Sequence, residues 1–490
     1  MKPIVLIHGY SAESSKSTKK AITKIYGDLP ASLRKTFGAA NVVEIDLSRY
    51  ISLEDGLTID DVSRALDRTL HQNYSHLLQQ GFHALVHSTG ALVIRNWLRT
   101  FSPKPSPLTN LVYMAGANFG SGWAHIGQGQ FAKWGRLIFQ GSERGVRILH
   151  GLELGAEWTI DLHRHFLKSG NDLVKKYGVF EHVIVGTQAE EGWFKVPIRY
   201  AKEDGADGVV RVAASNVNFN YVRLEATEEA KALTWREVRQ HAKRDRDLSS
   251  RRDDTLYRAT SNSRPGLGGR PVVPFAIPYE CAHSGDKMGV VTGKKPREQV
   301  MRLLDLALKT TTSSWPGRVA QFDAETDKTY QEALDGQTPT LKWISEPRAQ
   351  YDRHAQVVIR MRDQDGRPVL HYDVFFDSVQ GAADKSLPIR ELIEHKHING
   401  QTPNVIAFYL RTDKFDSDEE AWVPRVPKVD GCYLDISATE PETGDINYLP
   451  LRFEFTKAEL EKYIRPHMTT VIDVVLQRVP SPNVYKMVRY

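Results

Sequence analysis

Ser88 sits where a serine could act as a nucleophile. An apolar run, Phe82-His83-Ala84-Leu85-Val86, leads into His87-Ser88-Thr89-Gly90, and the helical pattern Ala91-Leu92-Val93-Ile94-Arg95-Asn96-Trp97-Leu98 follows. A strand, a sharp turn and a helix in that order lift the Ser88 Oγ above a sheet edge. They also aim a helix N-terminus at the reacting centre, where developing negative charge is favoured. The same residues would suit an ordinary serine N-cap. A serine of this kind needs an acid and a base, in the chain order Ser, Asp, His. Asp207, in Gly205-Ala206-Asp207-Gly208-Val209-Val210, follows the apolar run Val183-Ile184-Val185-Gly186 and supplies the acid. Asp204 is the nearby competitor, but it lacks the trailing Gly-Val-Val, and either could be a plain Asp-Gly turn. His283, in Cys281-Ala282-His283-Ser284-Gly285, lies in a loop before the helix expected over 296–309. Of the 17 histidines it alone combines that position with the required chain order. The chemistry is acyl transfer: Ser88 attacks a carbonyl, His283 takes its proton, and Asp207 fixes the imidazole tautomer.

The oxyanion formed in such a step needs two N–H donors. Pro3-Ile4-Val5-Leu6-Ile7 reads as a buried strand, and His8-Gly9-Tyr10-Ser11 follows it. The donors are assigned to the backbone N–H groups of Tyr10 and of Thr89, the residue after the nucleophile. One detail departs from the usual Gly-x-Ser-x-Gly pattern: Val86 stands in place of the first glycine. A small residue on the neighbouring strand would accommodate it. His8, His87 and His125 are assigned structural or lid-lining roles. Cys281 reads as a buried structural thiol.

The elements that must position these groups alternate. Strands are expected at 4–7, 42–45, 83–87 and 111–115, with helices between, including an amphipathic helix over 59–79 that places Val62, Leu66, Leu70 and Leu77 near one face. That alternation argues for an α/β unit with a mostly parallel sheet covered on both faces. Residues 119–175 interrupt it with aromatic, glycine-punctuated sequence. Phe119, Trp123, Phe131 and Trp134 are expected there to line an acyl pocket beneath a lid, the alternative being plain helical core. A second, strongly charged insertion runs over about 222–270. Its arginines suit phosphate headgroups, and a solvated mixed-charge helix or an oligomer contact suits them as well. Past residue 320 the pattern turns to short strands between turns, which predicts a β-sandwich. The domain reading is therefore 1–320 for the first domain, 321–349 for a linker and 350–490 for a β-rich domain. Neither the pair His395 and His397 nor the acidic run 413–420 has the spacing of a metal site.

The motifs Ile7-His8-Gly9-Tyr10, His87-Ser88-Thr89-Gly90, Ala117-Asn118-Phe119-Gly120-Ser121, Asp207-Gly208-Val209-Val210 and His283-Ser284-Gly285 together resemble those of α/β-hydrolases of the bacterial lipase and esterase kind. Within that superfamily the chain is most similar to the PlaB-like phospholipase A and lysophospholipase A family. Members carry a Thr-His-Ser-Thr-Gly-Gly elbow, against Val-His-Ser-Thr-Gly-Ala here, and an early Tyr-Gly-x-Leu-Pro segment, matched by Tyr26-Gly27-Asp28-Leu29-Pro30. The resemblance implies an α/β-hydrolase fold, a β-rich C-terminal domain, a Ser/Asp/His phospholipase, association with phospholipid membrane, and a homo-oligomer, dimer or tetramer. No metal or organic cofactor is required by that chemistry.

Composition is compatible with this reading. At 490 residues the chain exceeds one comfortable core. Mean hydropathy is −0.42, and no apolar run is long enough for a membrane span. Met1-Lys2-Pro3 runs straight into the first strand, so no signal peptide is expected, and a cytoplasmic or peripherally membrane-associated protein is. The two cysteines, Cys281 and Cys432, fall in different expected domains and predict no disulfide framework. A net charge of +5 suits anionic lipid surfaces, while motifs for nucleic-acid binding are absent. Two readings stand beside the phospholipase: a carboxylesterase or neutral-glyceride lipase, and a lipid-binding scaffold with a degenerate hydrolase domain.

Overall fold

The computed structural model describes residues 1–8, 25–47, 56–122, 146–189, 203–245, 255–336, 347–378, 386–440 and 445–484. The chain forms two compact units. The first comprises residues 1–218, 265–352 and 415–421, and the second 219–264, 353–414 and 422–490.

The first unit is built on six strands: β1 (Ile4–His8), β2 (Val42–Ile45), β3 (Phe82–His87), β4 (Leu108–Met114), β5 (Phe180–Ile184) and, after two strands that belong to the second unit, β8 (Phe275–Ala276). Their order is β2-β1-β3-β4-β5-β8, and every pairing is parallel. Ile4 to Ile7 and Ala84 to Val86 are fully buried. Such unbroken apolar runs are what a parallel sheet covered on both faces demands. Neighbours on β5 show the two covers. Glu181 meets Arg95 of the helix Gly90–Thr100, while the ring of the adjacent His182 meets Trp315 and Phe322 of the helix Trp315–Asp335. The amphipathic segment forms two helices, Ile59–Asn73 and Ser75–Gln80, with a break at Tyr74. Val62, Leu66, Leu70 and Leu77 are all buried. Thr58 starts the first helix with a reciprocal capping box to Asp61.

Two sequence expectations change here. The segment over 321–349 was expected as a linker, yet residues up to Asp335 belong to a 21-residue helix whose Phe322, Tyr330 and Ala333 are buried in the first unit. The charged insertion was expected within the first domain. Instead, residues 219–264 supply β6 (Phe219–Ala226) and β7 (Tyr257–Ser263) to the second unit. Along β6, Val222, Leu224 and Ala226 are buried while Arg223 and Glu225 are partly exposed, a period-2 pattern masked by the surrounding charge. The helix Trp235–Asp245 does carry mixed charge, with the Arg239 guanidinium 5.0 Å from the Trp235 ring.

The second unit continues with β9 (Arg353–Asp363), β10 (Tyr372–Ser378), β11 (Ile393–Ile398), β12 (Val405–Asp416), β13 (Ala421–Pro424), β14 (Gly431–Ala438), β15 (Ile446–Tyr448), β16 (Leu451–Thr456), β17 (Thr469–Leu476) and β18 (Arg478–Pro480). A seven-stranded mixed sheet runs β11-β12-β9-β17-β6-β7, with β13 added on β12. A three-stranded antiparallel sheet runs β10-β14-β16. Ile359, Phe408 and Val474 of the large sheet share one apolar core with Leu434, Ile436 and Phe455 of the small one. Two sheets closing on a common core make this β-rich unit a sandwich. The expected strand over 484–488 lies almost wholly outside the described residues. Among the described residues, no helix is long and apolar enough to cross a membrane. Cys281 and Cys432 are both buried and unpaired by disulfide.

Candidate active site

The three side chains assigned to acyl transfer, drawn from three distant stretches, meet beyond the carboxyl ends of the parallel strands. β3 ends at His87, and Ser88 turns the chain with φ of 53°. A left-handed conformation in a non-glycine residue costs about 1–3 kcal/mol and persists only where the surroundings impose it. Three backbone hydrogen bonds do so. Ser88 N–H donates to the Met114 carbonyl at 3.2 Å, and the Ser88 carbonyl accepts from Ala91 and Ala117 at 3.1 and 3.3 Å. Just past β4 the chain comes close to the elbow helix at a glycine. A Cβ on Gly116 would stand 2.8 Å from the Ala91 Cβ of the elbow helix, so only glycine fits.

His283 Nε2 lies 3.2 Å from Ser88 Oγ, and His283 Nδ1 lies 2.9 Å from Asp207 Oδ2. A carboxylate only accepts, so Nδ1 carries the proton and Nε2 is left to accept from the serine hydroxyl. The other oxygen of Asp207 accepts from the Val209 and Val210 amides at 2.9 and 2.7 Å. The His283 amide donates to the Asp207 carbonyl at 3.0 Å, so acid and base are joined through both side chain and main chain. Asp207 and His283 are almost wholly buried. Asp204, the competing acid, instead accepts from Gln350 Nε2 at 2.9 Å.

Neighbouring loops fix this line of groups. Gly186, after β5, lets the base loop pass closely: a Cβ there would stand 2.0 Å from the Cys281 carbonyl oxygen. Burial, with the Asp207 charge adding to it, pushes the Cys281 thiol well up, as suits a packed and unreactive sulfur. The acid loop is held at both ends by a buried bidentate pair, Arg211 to Glu203 at 2.8 Å through Nε and Nη2. Ser121 Oγ donates to the Val209 carbonyl. Arg211 and Glu203 are not singled out in the sequence, and Ser121 enters there only as part of the Asn-Phe-Gly-Ser motif. Charged residues flanking the Asp-Gly turn were the available signal.

Other assigned residues fall differently. Thr89 is buried and lies at the first turn of the elbow helix, where N–H groups have no intrahelical acceptor. Tyr10 lies outside the described residues, as do Trp123, Phe131, Trp134 and His125. Phe119, assigned to the lid, is only 2% exposed and stacks on His163 with centroids 4.4 Å apart. It is a packing residue of the first unit. The described remainder of that insertion, the helices Val146–Leu152 and Glu157–His165, buries Ile148, Ile160 and Leu162 as core. The Tyr26–Pro30 segment has a local function too. The Tyr26 hydroxyl donates to the Ile7 carbonyl at 2.8 Å, and Asp28 pairs with Arg297 at 2.7 Å.

A scan against models of protein families found no match, and neither did a search of curated proteins. Among solved structures, the chain is similar to phospholipase PlaB from Legionella pneumophila, at 22% identity and a TM-score of 0.75 over 100% of this chain and 96% of that one. The same protein in complex with thio-NAD matches over the same shares at 21% identity and a TM-score of 0.75. The mature lipase BlEst2 from Bacillus licheniformis is similar over 44% of this chain and 79% of its own, at 15% identity and a TM-score of 0.32, a likeness too weak to carry an argument. With the parallel sheet, the strand-end site and the β-rich second unit already in place, the end-to-end likeness settles the architecture: the chain has a PlaB-like α/β-hydrolase fold.

Proposed function

We propose that the protein is a serine hydrolase that cleaves fatty-acyl esters of phospholipids and lysophospholipids. The observation that carries this reading is the connected line Ser88 Oγ, His283 Nε2, His283 Nδ1 and Asp207, with contacts of 3.2 and 2.9 Å, at a strained strand-to-helix turn. Its substrate class draws support from the full-length likeness to a phospholipase. The Ser88 Oγ adds to the ester carbonyl carbon while His283 Nε2 takes the hydroxyl proton. The amides of Tyr10 and Thr89 stabilise the oxyanion. The tetrahedral intermediate collapses, the C–O bond to the glycerol moiety breaks, and His283 returns the proton to that leaving oxygen. Water then adds to the acyl-serine, again losing its proton to His283, and the fatty acid departs as the Ser88 hydroxyl is restored. Asp207 fixes the tautomer and stabilises the imidazolium throughout. The reading includes work at a phospholipid surface as a homo-oligomer, which liposome co-sedimentation and sedimentation velocity test directly.

The deciding experiment is fatty-acid release from phospholipid, lysophospholipid, triglyceride and p-nitrophenyl ester, with wild type beside Ser88→Ala. Release from the phospholipid substrates, absent in the variant, is expected. Activity confined to short soluble esters would replace the phospholipase reading with a carboxylesterase. Lipid binding without release from any substrate would leave a scaffold.

A further inference from the structure

We propose that His87 is a positioning residue for the base, gripping the main chain of His283 so that its Nε2 stays aimed at Ser88. This inference rests on the serine-hydrolase reading above. His87 Nε2 lies 3.1 Å from the His283 carbonyl oxygen. A carbonyl can only accept, so the His87 proton is on Nε2 and Nδ1 is bare. The two imidazole rings lie 4.7 Å apart, tilted by 43°.

With this contact every polar group of the base is engaged. Its amide donates to the Asp207 carbonyl, its Nδ1 meets the Asp207 carboxylate, its Nε2 meets Ser88, and its carbonyl accepts from His87. The first two tie the base to the acid loop. The His87 contact ties it to the nucleophile strand, because His87 immediately precedes Ser88. Movement of His283 away from the serine therefore requires breaking the His87 bond.

His87 is itself fixed. The Tyr26 ring lies edge-on to it at 6.5 Å, and the Tyr26 hydroxyl is anchored on the Ile7 carbonyl at 2.8 Å and reaches the Leu85 carbonyl of the His87 strand at 3.4 Å. Burial first, and then the adjacent His283, lower the His87 imidazole to about 3. It consequently stays neutral at ordinary pH and sets no cation beside the His283 imidazolium that forms during the reaction. A phenylalanine would fill the same space. Only a donor at the Nε2 position would keep the grip.

Three variants separate donor from packing. The Gln side-chain amide nitrogen reaches the place of Nε2, the shorter Asn reaches the place of Nδ1, and Phe keeps the ring without a donor. The proposal expects His87→Gln to keep most of the wild-type kcat. His87→Asn and His87→Phe should lose about 10- to 100-fold in kcat with KM unchanged, the penalty of a misplaced catalytic group. Wild-type kcat in His87→Asn and His87→Phe would overturn it. So would unfolding of all three variants, Gln included, because the ring's packing would then be its essential contribution. Wild-type labelling by a fluorophosphonate probe keeps the two claims apart. No labelling defeats the serine-hydrolase reading itself, whereas labelling together with equal kcat in His87→Asn defeats only the role of His87.

Discussion

Two buried aspartates, one in each unit, show how placement decides what a carboxylate can do. Asp207 lies on a loop past the strand ends and is met by two backbone amides and one imidazole. Asp473 lies in the middle of β17, opposite Arg360 in the β9 register, and is met by the Arg360 guanidinium at 2.9 and 3.0 Å and by the Tyr221 hydroxyl at 2.8 Å. Burial alone would raise the Asp473 carboxyl, but the Arg360 pair outweighs it and holds the group below its ordinary value. Arginine cannot give up its proton at working pH, so this network is locked. Imidazole can gain and lose one, so the Asp207 line can conduct a reaction. On the proposed reading the first arrangement serves chemistry, whereas the second is a fixed ion pair of the core.

The sharpest break of that contrast is Asp207→Asn. It should lower kcat about 10⁴-fold by inverting the His283 tautomer, with little change in thermal midpoint. A loss below tenfold would remove Asp207 from its role. The matching change in the second unit, Asp473→Ala, should leave activity per folded molecule intact. It removes the carboxylate that pairs with the buried Arg360 and should cost about 3–5 kcal/mol in a urea melt. A large drop in kcat with unchanged stability would erase the distinction between the two sites. Gly186→Ala tests the geometry around the base loop. Its new Cβ collides with the Cys281 carbonyl, and the resulting displacement of His283 should cost on the order of 100-fold in kcat.

The mildest effect is on pH. Burial lowers His87 and His182 in the first unit, and His467 in the second, to about 3. The unfolded chain binds protons on these groups first, so stability falls as pH drops below about 6.5, by at most about 1.4 kcal/mol per histidine per pH unit. The second unit adds an acid. Burial acts to raise Glu394, but His354 and Arg411 outweigh it and bring it down to about 2. Its contribution is present above the ordinary carboxylate range and is lost as pH falls toward 2. Urea midpoints at pH 7, 5.5 and 4 should therefore decline steadily. Equal midpoints at pH 7 and 5.5 would contradict the buried neutral histidines.

The sequence disclosed what is local. An apolar strand, Ser-Thr-Gly and an apolar helix mark the Ser88 elbow within a span of residues 82–98, and local context together with chain order points to Asp207 and His283. Groups whose partners are remote stayed hidden. β6 pairs with β17 across some 250 positions, Tyr221 facing Val471, and no short-range pattern announces such a partner. Charge around that segment reads instead as an insertion of the first domain, suited to phosphate headgroups, solvent or an oligomer contact. Phe119 shows a different limit, because an aromatic residue beside glycines looks the same whether it lines a pocket or stacks on a buried His163. The expected linker over 321–349 takes in most of the helix Trp315–Asp335 because that helix's apolar core-facing residues, Phe322, Tyr330 and Ala333, are few among 21.

The most direct test of the central claim is to react the wild-type protein with a fluorophosphonate and map the adduct by peptide mass spectrometry. A single adduct on Ser88, abolished in His283→Ala, is the expected result. An adduct on another residue, or undiminished labelling of Ser88 without His283, would contradict the account.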